Sequence, residues 1–191
     1  FAMALGGAWF NDPAADPTAV VAEFLASQYG LSRPTGPAEA LLRLSAINPG
    51  RNVLRRLLNS EQATTDAITT REAEQARELF EQAVRLGDLF IGQARLVKRN
   101  REEFGNYALA AELLAWAAMV GIIRAEAAPS APGLRRTLLA EGRRLLRRCQ
   151  ADWNRGRYAD DPKRDLDGTP GRWPDALIPN LHLALARLSG K

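Results

Sequence analysis

The residues able to carry covalent or metal chemistry are few and scattered. His182 is the sole histidine and Cys149 the sole cysteine of the chain. No Glu-x-x-His pair exists, so nothing supports a di-metal carboxylate centre inside a helical bundle. A single cysteine can neither close an internal disulfide nor build a cysteine-based zinc site. Cys149 follows Arg147 and Arg148, whose charge would lower a thiol pKa; with no second cysteine and His182 distant in sequence, an inert thiol is expected. The lone His182, in a terminal apolar segment, reads as a surface or packing residue. Asp160, Asp161, Asp165 and Asp167-Gly168 gather in one stretch that is similar to half of a calcium loop. The full loop needs oxygen ligands at alternate positions and a later Glu. Lys163 stands two residues before Asp165 and no Glu follows, so a solvated turn is expected. No metal and no cofactor is expected.

Two further groups have the residue types for recognition. Arg135, Arg136, Arg143, Arg144, Arg147 and Arg148 crowd one helical stretch, the composition of a face for nucleic acid or an acidic partner. Aromatic residues for base stacking are not interleaved with them, and residues 1–130 hold 13 basic against 15 acidic side chains. The expectation is therefore a solvated face with local ion pairs to Glu141 and Asp152, and no nucleic-acid partner. Among the tryptophans, Trp116 lies in the most apolar stretch and reads as core, while Trp153 and Trp173 flank a long polar loop that they would pin down. Trp9 follows an apolar, strand-like run and precedes Asn11-Asp12-Pro13. An aromatic face beside two hydroxyl-bonding side chains suits a sugar ring, so Trp9, Asn11 and Asp12 are the candidate substrate-binding residues; an ordinary hydrophobic anchor with a helix-entry turn explains them equally.

The elements that would position these residues are helical. Asp16 as N-cap, Pro17 at the first helical position and Gly30 as terminator bound a first helix with Val20, Val21, Phe24 and Leu25 on one face. Short helical pieces are expected over 38–46 and 51–58, parted by Asn48-Pro49-Gly50. Thr70 opens a long helix whose apolar stripe runs from Ala73 through Val84 and Phe90 to Val97, ending near Asn100. The segment ALAAELLAWAAMVGIIRAEAA is apolar nearly all round, as in a helix covered on several sides. An amphipathic helix over 134–153 sets Leu138, Leu139, Leu145 and Leu146 against the arginines, and a last short helix runs over 179–188. With 46% hydrophobic and 25% charged residues in 191, the chain has the composition of an ordinary globular domain. No apolar run reaches the roughly 20 residues of a bilayer span, so no membrane partner is expected. The opening FAMALGGA lacks the basic start and length of a signal peptide; the compartment stays open.

The stretch AWFNDPAADPTAVVAEFLASQYG resembles the junction after the last barrel strand of several bacterial glycoside hydrolases, through Trp9, Asp12, Pro13, Asp16, Pro17, Phe24, Tyr29 and Gly30. FGNYALAAELLAWAAMVGIIRAEA resembles a helix of the post-catalytic bundle in β-N-acetylhexosaminidase-like enzymes of families 20 and 84. LLRRCQADWNRGRYADD is similar to their closing region, with Gly156 and Tyr158 in place of the usual Pro-Gly. This resemblance implies a C-terminal helical portion, itself non-catalytic, that braces a preceding catalytic domain of the same protein and touches a glycan through Trp9. The catalytic carboxylates would belong to that preceding domain.

The resulting expectation is an all-α fold, an antiparallel helical bundle over residues 16–191 with a short N-terminal strand-like stub, residues 1–15 being the remnant of a preceding catalytic, barrel-like domain or a linker. Its function would be that of an accessory domain of a carbohydrate-active enzyme. The alternative is a stand-alone helical interaction module whose Arg-rich helix 134–153 binds an acidic partner or nucleic acid.

Overall fold

The computed structural model describes residues 7–8, 11–47, 70–125, 132–155 and 177–189. The fold is all-α, and the helices bounded among the described residues are α1 Pro17–Tyr29, α2 Thr35–Ile47, α3 Thr70–Ala94, α4 Arg101–Ala125, α5 Pro132–Arg155 and α6 Leu177–Leu188. They fall into two compact units. One holds α1, α2, α3 from Glu78 onward and α4 up to Ala115; the other holds α3 up to Arg77, α4 from Trp116, α5 and α6.

Most of the expected strand-like stub, residues 1–6 and 9–10, lies outside the described residues, and the part that is described is not a strand. Gly7, Ala8 and Asn11 are helical, and no strand occurs among the described residues. The Asp12 amide donates to Ala8 O at 2.8 Å, a bond between residues four apart, as in a helical turn. A lone strand would need a partner chain for those same groups.

In the first unit, local chemistry sets the limits of α1. The Asp16 carboxylate accepts the Thr18 amide at 3.0 Å, Pro17 follows, and Gly30 closes the helix at φ 67° with its amide on Ala26 O. That left-handed angle suits a residue without a side chain. The connection between α3 and α4 then completes the end of α1. Lys98 and Arg99 amides donate to Tyr29 O at 2.9 and 3.2 Å, and the Asn100 side-chain amide donates to Gln28 O at 3.0 Å. These bonds account for the early end of α3. Its apolar stripe continues to Val97, which is buried, but the helix stops at Ala94 and the following residues turn away to cap α1. Asn100 itself takes φ 50° while its carbonyl starts α4 by accepting the Phe104 amide. Helices α1 and α2 pack together, and α3 and α4 run antiparallel, with Phe90 against Phe104 and Gly87 beside Ala111.

In the second unit, α5 and α6 run antiparallel: Arg135 donates to Leu188 O at one end and Gln150 meets His182 at the other. Trp116 is the anchor. Its indole N–H donates to Leu138 O at 2.9 Å, a helical carbonyl whose ordinary partner is the amide of residue 142. Residue 142 is Gly, and a Cβ there would stand 2.6 Å from Trp116 Cζ2 and 2.7 Å from Leu185 Cδ2. A helical glycine costs about 1 kcal/mol of propensity; here its bare backbone makes the notch that admits the indole. Leu145, Leu146 and Cys149 continue the buried face, with Leu181, Ala184 and Leu185 on α6.

Helix α4 also corrects the expectation that no segment is long and apolar enough to cross a bilayer: Arg101–Ile123 qualifies by length and hydropathy. In the fold, 61% of that apolar window is buried against the chain's own helices, the pattern of a core helix. Trp116 is core as expected, at 3% exposure.

Gly142→Ala should destabilise the protein by about 1–3 kcal/mol despite the better helix propensity of alanine, because the methyl overpacks the notch. Denaturant midpoints of the two forms measure this, and a stabilised Ala variant would refute the notch.

Candidate functional site

The three candidate sugar-contacting residues meet different fates. Trp9 lies outside the described residues. Asn11 and Asp12 are exposed, and their side chains close their own turn: Asn11 Nδ2 donates to Gly7 O at 2.9 Å and Asp12 Oδ1 accepts the Ala14 amide at 3.0 Å. This is the Asx-turn use of such residues at a helix entry. The described geometry brings neither of them to another polar side chain.

Five of the arginines of α5 divide into two sets. Arg144 grips Glu141 through Nε at 3.0–3.1 Å and Nη2 at 2.6 Å, the local ion pair expected from the sequence. The bond from Arg144 holds the Glu141 carboxyl below its ordinary value, against the opposing effect of partial burial. Arg135 is committed to the carbonyl end of α6. The side chain of Asp152, the other expected partner, lies outside the described set. Arg136, Arg143 and Arg147 form the second set. All three are exposed, and none has an ion pair among the described residues. At 100° per residue they share an arc of about 40°, and at 1.5 Å per residue they span about 16 Å. The small exposed residue Ala140 fills the gap in that row. The opposite side of the same helix is buried on Trp116 and α6, so the row stands on a firmly seated element.

His182 is exposed, with a ring nitrogen 3.5 Å from the Gln150 amide, and Cys149 is buried. Neither belongs to a nucleophile–base pair among the described contacts, and no group of three or more His, Cys, Asp or Glu gathers among the described residues. The Asp-rich stretch over 160–168, like Trp173, lies outside the described residues, and the side chain of Trp153 is likewise not described.

A cluster that the sequence reading missed sits in the first unit. Phe24, Tyr29, Phe90, Phe104 and Tyr107 pack with ring centroids 5.2–6.0 Å apart, mostly edge to face. The Tyr29 and Tyr107 hydroxyls lie 3.2 Å apart, one donating to the other. Burial, then the bond to Tyr107, pushes the Tyr29 phenol far above its ordinary value of 10.0. Tyr107 is also raised, chiefly by burial, with the bond to Tyr29 acting the other way. The signal was present as Tyr29 before Gly30 and Tyr107 one helical turn after Phe104, but nothing local says that these rings meet.

Against known proteins, the chain matches no family model, no curated protein and no solved structure.

The tyrosine pair predicts an alkaline limit to stability. Both phenols stay protonated in the fold while the unfolded chain loses their protons near pH 10, so stability is full below that pH and falls as pH rises through it. Urea midpoints at about pH 8 and about pH 11 should show a larger loss for the native chain than for Y29F/Y107F; equal losses would refute the pair's role.

Proposed function

We propose that this chain is a helical interaction module whose α5 outer face binds an acidic protein surface. The supporting observation is the row Arg136, Arg143 and Arg147, exposed and without an ion pair among the described residues. Such a row on a seated helix presents three guanidinium groups in one direction, each able to hold a carboxylate through two donors. Exposed pairs contribute roughly 0.2–1 kcal/mol each, so the interaction is weak, reversible and sensitive to salt. An acidic protein suits the row better than duplex nucleic acid. A helix in the major groove meets phosphates on both sides of a channel about 12 Å wide. Here one narrow row is charged, one flank holds Arg144 already tied to Glu141, and the other holds Leu139 and Gln150. No aromatic residue stands between Arg136 and Arg147 for base stacking.

The resemblance to glycoside hydrolases supports a second proposal, that the module is the non-catalytic helical portion of a carbohydrate-active enzyme. The motifs that carry it are those around Trp9 to Gly30 and Phe104 to Ala127. In that setting the preceding catalytic domain is itself the partner to be braced, and the glycan contact falls to Trp9.

Binding of a fluorescent poly-glutamate peptide tests the first proposal. Its affinity for R136A/R143A/R147A should fall about tenfold relative to the native chain, the effect of losing three pairs of ~0.5 kcal/mol each. Equal affinity for both forms, or preference for a DNA duplex of matched charge, would refute it. For the second proposal, the isolated chain should not hydrolyse a chromogenic N-acetylglucosaminide; turnover would show catalysis within the chain itself.

A further inference from the structure

The acidic surface that fits the α5 row is present on the chain itself. On α3, Glu78, Glu81 and Asp88 are all exposed. They occupy one side of the helix, within about 80° of one another at 100° per residue. Glu78 and Asp88 have no ion pair among the described residues, and Glu81 has only the loose, exposed contact with Arg85 at 3.6 Å. Arg85, the one cation between residues 78 and 88, lies within that arc on the Glu81 side, so three acidic groups stand there against one basic group.

The spacing of the two rows agrees when the helices are laid antiparallel. From Asp88 to Glu81 is seven residues, as from Arg136 to Arg143. From Glu81 to Glu78 is three residues, and from Arg143 to Arg147 is four, a difference of about 1.5 Å that long side chains absorb. Arg136 then faces Asp88, Arg143 faces Glu81, and Arg147 faces Glu78. Ala140 leaves room between the first two pairs for the helices to approach. The acidic side is also more than a solvated face. Val84 and Ile91 flank it one turn either side of Asp88, and they remain 38% and 45% exposed. Uncovered aliphatic side chains beside a charge row are a feature of association surfaces.

We infer that the partner of the α5 row is a second copy of this chain, which docks through the Glu78–Glu81–Asp88 side of its α3. The inference rests on the reading of α5 as a binding face and names its occupant. It implies a reversible self-association that strengthens with protein concentration and weakens as salt screens the pairs.

Sedimentation velocity on the full chain tests it, at about 20 mM and about 500 mM salt, conditions with very different screening lengths. At low salt the average mass should rise above that of one chain as concentration increases, and at high salt it should return to one chain. Two charge-reversed variants sharpen the test: R136E/R143E/R147E and E78R/E81R/D88R. Each alone should stay monomeric, because like charges then face each other. An equimolar mixture should associate again, since every reversed row finds a reversed counterpart. All substitutions are on exposed positions, and circular dichroism checks that each variant is folded; the salt response of the native chain stands without them. A native chain that is monomeric at every concentration, or a mixture that fails to associate while both variants are folded, overturns the inference. Poly-glutamate binding lost in R136A/R143A/R147A but with no self-association would overturn the inference alone and leave the acidic-partner reading in place. Absence of poly-glutamate binding would overturn that reading instead.

Discussion

From Ala108 to Ile123, helix α4 leaves no residue fully exposed to water. Leu109, Leu114, Trp116, Ala117, Ala118 and Ile122 point in different directions around it, and all are buried. A helix with one apolar stripe can rest on a surface, whereas this one has to be enclosed. Its neighbours meet that demand by different means. Around its N-terminal part the cover is aromatic, with rings from α1 and α3 meeting Phe104 and Tyr107 edge on. Around Trp116 the cover is a gap in a side-chain row, where Gly142 lets the indole reach the backbone of α5. The long helices on either side of α4 in sequence are shaped by what they must present to it.

What could be read from the sequence follows how local the controlling interaction is. The limits of α1 were legible because Asp16, Pro17 and Gly30 act on backbone groups within four residues of themselves. The buried stripe of α5 was legible from Leu138, Leu145 and Leu146 for the same reason. The end of α3 was not, since its apolar period continues and the bonds that stop it go to carbonyls of Gln28 and Tyr29 far away in the chain. Gly142 read only as a weak point in a helix, its reason being a tryptophan on another element. Val84 was counted with the buried stripe but stands at its edge, in water. At Gly7, Ala8 and Asn11, where a strand-like stub was expected, the backbone is helical.

The candidate site was legible as a composition and not as a geometry. The arginines of one helix look equivalent in the sequence, yet Arg135 caps a neighbouring helix and Arg144 is held by Glu141. The row at 136, 143 and 147 emerges only after those commitments are known. Its usefulness for binding comes from the opposite side of the helix. A partner meeting these arginines has no helix to order, because α5 is already seated on Trp116 and α6, so less of the interaction is lost to conformational entropy.

The cap on α1 has a consequence for how the chain reaches this structure. The bond from Asn100 to Gln28 O joins groups 72 residues apart, and the Lys98 and Arg99 amides close the same long circuit. Closing a loop of that length carries an entropic penalty of roughly 4 kcal/mol. The α3–α4 hairpin has its contacts near in sequence and can form first. Until it does, the last carbonyls of α1 have only water and Gly30 to bond. In order of assembly, then, α1 is expected late, docked onto a corner that its successors build.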